Sequence, residues 1–267
     1  MAKHSRNWNQ GVYEKYLREG RGQGEGPGYT PWIRVQDFAS KGIVSRVKGR
    51  TTRRVHHLMS NNELAYFYLL DWADSVLDIR EQFPLLDLEC AMNAAAQAGI
   101  NYPTDRTSGY PYVMTCDFLI TTTHGLKART VKLSSELTNA RTVEKLEIER
   151  RYWAANGVDW KLVTENEISY RKAKNIEWIY SAQDREALQL QAESDTLSNV
   201  KDLIRQLFYS YEFSIVEIAQ IVEDKFHLGK GIGLLLFKSL VLDKEIYIDL
   251  NERLNLNAKK VAVTVTA

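Results

Sequence analysis

Cysteine, proline and long apolar runs are scarce in this sequence. Its 267 residues include two cysteines, Cys90 and Cys116, and five prolines, and the spacing of the cysteines fits neither a zinc motif nor a disulfide framework. No stretch approaches the roughly 20 consecutive apolar residues of a membrane span, and the first residues, MAKHSRNWNQ, lack an apolar signal core. We therefore expect a protein of a reducing cytoplasm without membrane association.

An excess of charge of one sign is also missing, because 35 lysines and arginines face 34 aspartates and glutamates. Near-zero net charge excludes a uniformly basic nucleic-acid-binding chain, so any affinity for nucleic acid must come from local patches. What the sequence does contain is 44% hydrophobic residues and six tryptophans. That content predicts a folded protein with a substantial core, arranged as one large or two modest domains.

One local basic segment, RVKGRTTRRVHH at residues 46–57, contains no acid. Its cations predict a loop that follows DNA phosphates, although a solvated hairpin with basic decoration accounts for them equally well. The adjacent histidines at its end do not predict a metal site, because neighbouring side chains rarely converge on one ion. The candidate DNA-binding residues are Arg46, Lys48, Arg50, Arg53 and Arg54.

A helix and a strand are predicted before the candidate site. Residues 60–72, SNNELAYFYLLDW, are typical of a buried helix, and Ser60 with Glu63 matches a capping box, in which the glutamate accepts from a backbone N–H. Capping is the simplest interpretation of Glu63 from its local sequence alone. The pattern of residues 75–86 predicts a strand with an irregular end at Pro84. Residues 87–110 show less pattern, which predicts a loop or an insertion.

Residues 115–133, TCDFLITTTHGLKARTVKL, predict a β-hairpin with an acid inside its first apolar strand. Aspartate is a poor strand former, and a buried carboxylate costs several kcal/mol unless something compensates it. A two-residue turn at positions 124 and 125 would place Asp117 opposite Lys132. The pair is either an ordinary cross-strand ion pair, worth about 0.2–1 kcal/mol if exposed, or part of a reactive site. In this register Thr115, Leu119 and Thr130 share the face of the pair, while Cys116, Phe118 and Val131 point to the other side.

Glu63, Asp117 and Lys132 together predict phosphodiester chemistry. Cleavage of a phosphodiester needs one or two Mg²⁺ ions held by carboxylates, and a cation near the attacking water or the scissile phosphate. A helical glutamate, a strand aspartate and a lysine on the adjoining strand supply both requirements.

The hairpin is followed by a predicted helix at residues 143–157 and a predicted strand at residues 160–164. Two interpretations apply to Glu149, Arg150 and Arg151 on that helix, an approach to DNA and a solvated face. The solvated face is favoured, and we leave these residues out of the catalytic set. The side chains expected to pack are Val143, Leu146, Tyr152 and Trp153.

The carboxy-terminal third predicts a second domain. Residues 183–199 are polar enough for a linker or an exposed helix, and residues 200–243 contain three short helical segments. Alternating segments at 245–250 and 261–266 then predict a two-stranded ribbon. Three helices and a ribbon indicate a winged helix, but its third helix offers little positive charge beyond Lys238. Protein docking is therefore favoured over base reading for this domain.

The order of elements resembles the restriction-endonuclease-like nuclease fold, and residues 20–182 resemble the TnsA family of transposon endonucleases. That resemblance is carried by GRGQGEG, YTPWIRVQDF, GRTTRRVHHLMSNNELAYF, SVLDIREQFPLL, VMTCDFLI, VEKLEIERRYW and NIEWIYS. It implies an α/β protein of two domains. A restriction-endonuclease-like catalytic domain, with a mixed sheet flanked by helices, is expected over residues 1–178, and a winged-helix-like partner-binding domain over residues 179–267.

The resemblance also implies roles for individual residues. Glu63 matches the helical metal ligand of the family, Asp117 the carboxylate shared between metals, and Lys132 the catalytic lysine. The backbone carbonyl of Val131 is implied as a further ligand of one or two Mg²⁺ ions, for which Mn²⁺ would substitute. Thr130 departs from the pattern, since the wider fold has an acid there and the family a glutamine. Because a hydroxyl reaches less far, weaker or water-mediated metal binding and reduced activity are expected.

A division of labour follows from the same resemblance. Members of the family cut the 5′ ends of the transposon, a TnsB-type transposase cuts and joins the 3′ ends, and a TnsC-type AAA+ ATPase engages the carboxy-terminal region. Transposon-end DNA and these two proteins are therefore the expected partners. Two alternatives stay open: an attenuated, non-catalytic adaptor of the same complex, and a winged-helix transcription regulator, which the weakly basic third helix disfavours.

Overall fold

The chain divides into two compact units, Met1–Ile168 and Ser169–Ala267, in a computed structural model that describes residues 8–37, 44–183 and 194–259. The division falls earlier in the chain than the boundary expected between residues 178 and 179. Within the described residues, no helix is long and apolar enough to cross a membrane.

The strands described in the first unit are β1 (Ser45–Lys48), β2 (Val55–Leu58), β3 (Val76–Pro84), β4 (Thr115–Thr122), β5 (Gly125–Val131) and β6 (Asp159–Val163). The first two form a separate antiparallel hairpin that contains the basic segment. The other four form one mixed sheet in the order β3-β4-β5-β6, in which the last pair is parallel and the others are antiparallel. The predicted mixed sheet is thus confirmed.

The helices described in this unit are α1 (Gln10–Arg18), α2 (Asn61–Trp72), α3 (Leu88–Gln97) and α4 (Ala140–Ala155), with 3₁₀ turns at Gly26–Gly28, Val35–Asp37 and Ser134–Thr138. Helix α3 occupies part of the segment predicted as a loop, so that prediction was wrong. The Asp87 side chain caps α3 by accepting from the Cys90 N–H, and small residues at helical spacing, Ala91, Ala94 and Ala95, are buried. A stripe of alanines buries a helix face without the large apolar residues that mark one in a sequence.

The β4-β5 hairpin has a different register from the predicted one. Its last pair is Thr122↔Gly125, so the turn residues are 123 and 124 rather than 124 and 125. The Thr122 hydroxyl fixes this turn, because it accepts from the His124 N–H at 3.1 Å and donates to the Gly125 carbonyl at 2.9 Å. The observed register is therefore offset by two positions in β5 from the predicted one, and the regular pairing ends at Phe118↔Arg129, before it reaches Asp117.

Helix α4 and strand β6 confirm the predicted helix and strand. Leu146, Tyr152 and Trp153 are buried as expected, while Val143 is 45% exposed, so its predicted packing was wrong. Helix α4 ends at Ala155, Asn156 is its C-cap, and Gly157 follows with a left-handed φ of 68°. The chain then enters β6 beside β5. The core cluster between sheet and helices contains Leu85, Ala91, Cys116, Leu119, Ala128, Tyr152 and Trp153.

The described part of the second unit is helical: α5 (Tyr170–Tyr180), α6 (Ser194–Ser210), α7 (Ile215–Lys225) and α8 (Ile232–Leu242). The last three confirm the helices predicted within residues 200–243. Residues 245–250 form no strand, so that part of the ribbon was predicted wrongly. Ile246 and Leu250 are buried there while Tyr247 is 54% exposed, which means the segment packs as irregular chain. Residues 261–266 and 184–193 lie outside the described residues, and the winged helix is not confirmed.

Candidate active site

Asp117 and Lys132 meet at the end of the sheet where β4 and β5 diverge. Regular pairing is present up to Phe118↔Arg129, and beyond it the Asp117 carboxylate accepts from the Val131 N–H at 2.8 Å. The Lys132 ammonium lies 3.0 Å from Asp117 Oδ2 and donates to the Val131 carbonyl at 2.9 Å. The predicted convergence of Asp117 and Lys132 is therefore observed, and the buried acid is compensated by one amide and one ammonium.

Glu63 is placed by the start of α2. Its own N–H donates to the Ser60 hydroxyl, and that hydroxyl contacts Glu63 Oε1 at 3.0 Å. Its other carboxylate oxygen accepts from the Met59 N–H at 2.9 Å, rather than from the Ser60 N–H of a standard capping box. Glu63 therefore accepts from a backbone N–H near the start of α2, as a capping residue does, and it is also buried.

The electrostatics of the site couple these three groups. Burial and the nearby negative charge of Asp117 raise the pKa of Glu63 above its usual range. Burial alone would lower the pKa of Lys132, but the Asp117 and Glu63 carboxylates outweigh it and raise that pKa. Lys132 therefore stays protonated at any physiological pH. Its positive charge interacts electrostatically with both Asp117 and Glu63.

This donor set suits a hard divalent cation. Two carboxylates and the Val131 carbonyl offer oxygen atoms of the kind that Mg²⁺ binds, and the Lys132 ammonium lies against two of these groups. Within residues 8–37, 44–183 and 194–259, no group of three or more His, Cys, Asp or Glu side chains could hold a metal ion. A bound ion would consequently complete its shell with water or phosphate oxygens, as Mg²⁺ commonly does.

Thr130 has a different environment from the one predicted. Its hydroxyl contacts the Glu149 carboxylate, accepts from the Trp160 indole at 3.3 Å, and lies 3.7 Å from Cys116 Sγ. The expectation that Thr130 and Cys116 point to opposite sides was wrong. A direct metal contact by Thr130 stays a prediction, but its hydroxyl already has partners inside the protein.

Glu149 was predicted on a solvated face and is in fact 3% exposed. Burial, together with the charge of Asp117, raises the pKa of Glu149 to about 7. The sequence held a signal for this position, since Glu149 lies three residues after Leu146 and four before Trp153, on the buried stripe of α4. Arg150 instead pairs with the partly exposed Glu147.

Gln82 is a further residue that the sequence analysis missed. It lies in β3, is 4% exposed, and donates from its side-chain amide to Glu63 Oε2 at 3.3 Å. An isolated glutamine in a strand-forming segment gives no sequence signal for such a position.

The basic segment divides into exposed and enclosed residues. Arg46 and Lys48 on β1 are exposed, as is Arg53 in the turn, and the Arg50 side chain is partly exposed near Asp74. Arg54 is a correction to the predicted set, because its side chain is 8% exposed. Its guanidinium donates to Glu81 Oε1 at 2.8 Å and to the Ile79 carbonyl at 2.7 Å.

Comparison with known proteins gives concordant results for both units. A family model described as the TnsA-like endonuclease N terminal matches residues 73–165, and one described as the TnsA endonuclease C terminal matches residues 167–250. The transposition protein TnsA of transposon Tn7 from Escherichia coli is 38% identical over 234 residues, which are 86% of this chain and 83% of that protein. Identity of this extent, together with the two matched regions, shows that the chain belongs to the TnsA family.

Proposed function

We propose that this chain is the endonuclease subunit of a transposase and hydrolyses phosphodiester bonds at the 5′ ends of the transposon. The observation that carries the proposal is the Lys132 ammonium, 3.0 Å from Asp117 and bonded to the Val131 carbonyl, in a member of an endonuclease family. Strand hydrolysis at the 3′ ends is left to a TnsB-type transposase, so both subunits are needed for double-strand excision.

Glu63, Asp117 and the Val131 carbonyl would hold one or two Mg²⁺ ions, and Mn²⁺ would substitute. The ion, when bound, supplies Lewis-acid stabilisation and lowers the pKa of bound water. Lys132 contributes a permanent positive charge, because its pKa is raised by two carboxylates. That charge is available to stabilise the negative charge that develops on the phosphate during in-line attack by water.

The exposed cations of the basic segment would follow the DNA backbone. Arg46, Lys48 and Arg53 project from one hairpin, with Arg50 beside them, and such residues bind phosphates without reading bases. The proposed contact with transposon-end DNA is therefore a positioning contact that weakens as salt rises.

For the second unit we propose docking of a TnsC-type AAA+ ATPase. Helix α8 would be the reading helix of a winged helix, but its cation, Lys238, packs 4.3 Å from the Trp178 ring and donates to the Ser181 hydroxyl. A lysine engaged inside its own unit is poorly placed for DNA, which supports a protein partner over base reading.

A reconstituted transposition reaction tests the nuclease assignment. Asp117→Ala should abolish 5′-strand nicking while leaving 3′-strand cleavage by the partner transposase. Arg150→Ala is the matched control, because it removes a surface ion pair with Glu147 and should nick normally. Wild-type nicking by Asp117→Ala would overturn the assignment.

An attenuated adaptor is the second candidate function, and the environment of Thr130 favours it. Its hydroxyl is engaged by Glu149 and Trp160 and is therefore less available to a metal. Cleavage with and without Mg²⁺ should be compared for the wild type and Thr130→Gln. A large gain in the variant would indicate an attenuated native site, and no gain would favour a competent enzyme.

A further inference from the structure

Gln82 has a backbone conformation that is rare for a strand residue. It lies inside β3, yet its φ is 47°, in the left-handed region that residues other than glycine seldom adopt. Such a conformation persists only where the surrounding structure enforces it, and it is concentrated at functional sites.

The left-handed turn breaks the alternation of side chains along β3. Glu81 contacts His56, which packs against Phe67 of α2 with ring centroids 4.4 Å apart. The next residue, Gln82, contacts Glu63, which also belongs to α2. Consecutive residues of a regular strand point to opposite faces, so both can reach the α2 side only because the backbone turns at Gln82.

The turned side chain contacts Glu63, one of the two acids of the candidate site, and Thr115 of β4. Its amide nitrogen is 3.3 Å from Glu63 Oε2, and its oxygen is 3.5 Å from the Thr115 hydroxyl. The register of β3 and β4 places Gln82 opposite Asp117, where the regular pairing is interrupted. The left-handed φ, the burial and the contact with Glu63 are therefore all properties of one residue, Gln82.

We propose that Gln82 is a positioning residue that holds the Glu63 carboxylate in the orientation that binds a divalent cation. With the Met59 N–H and the Gln82 amide both on Oε2, the carboxylate has one fixed orientation. Its Oε1 accepts from the Ser60 hydroxyl, and the remaining acceptor capacity of that oxygen is the proposed site for a cation. The inference rests on the proposed function, since it concerns the metal ligands of the same site.

Mn²⁺ binding to the full-length chain tests the inference directly. Gln82→Gly and Gln82→Met both remove the amide, but glycine relieves the left-handed strain while methionine keeps it. Loss of a partner that orients a metal ligand typically weakens binding ~10- to 100-fold. We expect both variants to show a loss of that size in isothermal titration calorimetry with Mn²⁺ alone. His227→Gly is the control, because it relieves a φ of 51° at an exposed position of the second unit and should bind normally.

Two results would overturn the inference. One is unchanged Mn²⁺ affinity in either Gln82 variant whose thermal unfolding shows it to be folded. The other appears in the nicking reaction, where a positioning role requires a higher Mg²⁺ concentration for half-maximal rate and near-normal rate at saturation. A lower maximal rate at an unchanged Mg²⁺ midpoint would mean that the variant loses catalytic competence without losing metal affinity, which contradicts a positioning role.

Asp117→Ala in the same titration distinguishes a failure of the role proposed for Gln82 from a failure of the proposed metal site. If this variant loses Mn²⁺ while the Gln82 variants keep it, the role of Gln82 is wrong and the proposed site stands. If Asp117→Ala binds Mn²⁺ like the wild type, the proposed metal site itself is wrong, and the role of Gln82 falls with it.

Discussion

Three buried glutamates in the first unit are compensated differently. Burial alone would raise the pKa of Glu81, but His56 and Arg54 outweigh burial and hold it below its usual range. Glu63 and Glu149 have raised pKa values, because burial and the charge of Asp117 prevail over the hydrogen bonds they accept. A carboxylate already neutralised by protein cations stabilises the fold, whereas one without a full countercharge is able to accept a cation from solvent.

Glu81→Gln should destabilise the first unit at neutral pH and flatten its response to acid. Because folding lowers the pKa of Glu81, its stabilisation is complete above its unfolded pKa of about 4.3 and is lost progressively as pH falls from there through the folded pKa. Breaking one side of a buried ion pair costs ~3–5 kcal/mol. Urea unfolding at pH 7 and pH 4 measures both effects. Glu147→Gln is the control, since its ion pairs are partly exposed and contribute less than ~1 kcal/mol; equal losses in both variants would contradict this prediction.

Substitution of the adjacent arginines 53 and 54 should separate DNA binding from stability. Arg53→Ala removes an exposed cation and should weaken DNA binding and reduce its salt slope by ~1, with an unchanged melting temperature. Arg54→Ala removes the buried partner of Glu81 and should lower the melting temperature markedly. Fluorescence anisotropy at several salt concentrations and thermal unfolding give the two readouts. An Arg54→Ala variant that melts like the wild type would contradict the structural role assigned to it.

The sequence predicted the helices that carry large apolar residues at regular spacing. It did not predict features that a single side-chain hydrogen bond or backbone angle determines. Helix α2 carries both a cap and an apolar run, and α4 shows the 3.6-residue period. The β4-β5 register was missed because a threonine hydroxyl, invisible to a hydrophobic pattern, fixes the turn. Asp117 and Lys132 were expected together from the hairpin, and Glu63 joined them only through the set of three residue types and the family resemblance, since its local sequence favoured a cap. The contact of Gln82 with Glu63 depends on one backbone angle.

The caps of α2 and α3 provide a matched test of how a helix start affects the site. Ser60 and Asp87 each accept from a first-turn N–H, and replacing either by alanine should cost ~0.5–2 kcal/mol. Only Ser60 also contacts the Glu63 carboxylate, so only Ser60→Ala should reduce Mn²⁺ affinity and 5′-strand nicking. Chemical denaturation and the nicking assay measure the two effects. A comparable loss of nicking in Asp87→Ala would show that helix stability, not the carboxylate contact, is responsible.

The two units of the molecule stabilise themselves in different ways. In the first unit, the buried Glu81 carboxylate of β3 contacts Arg54, just before β2, and His56 of β2. The described core of the second unit is apolar, with Ile204, Ile218, Val222, Leu236 and Leu240 buried. Helix α5 belongs to that second core, because the Asn175 amide donates to the carbonyls of Leu250 and Glu252, and Ile176 and Ile179 are fully buried.

This assignment of α5 predicts how the chain tolerates truncation. A chain ending at residue 168 should unfold cooperatively, since it keeps the whole first unit. A chain ending at residue 182 keeps α5 but loses α8 and the Leu250 carbonyl that hold it, so Ile176 and Ile179 become exposed and aggregation should increase. Light scattering and thermal unfolding compare the two chains. Both should lose binding to a TnsC-type ATPase in a pull-down, and full binding by either would show that docking does not reside in the second unit.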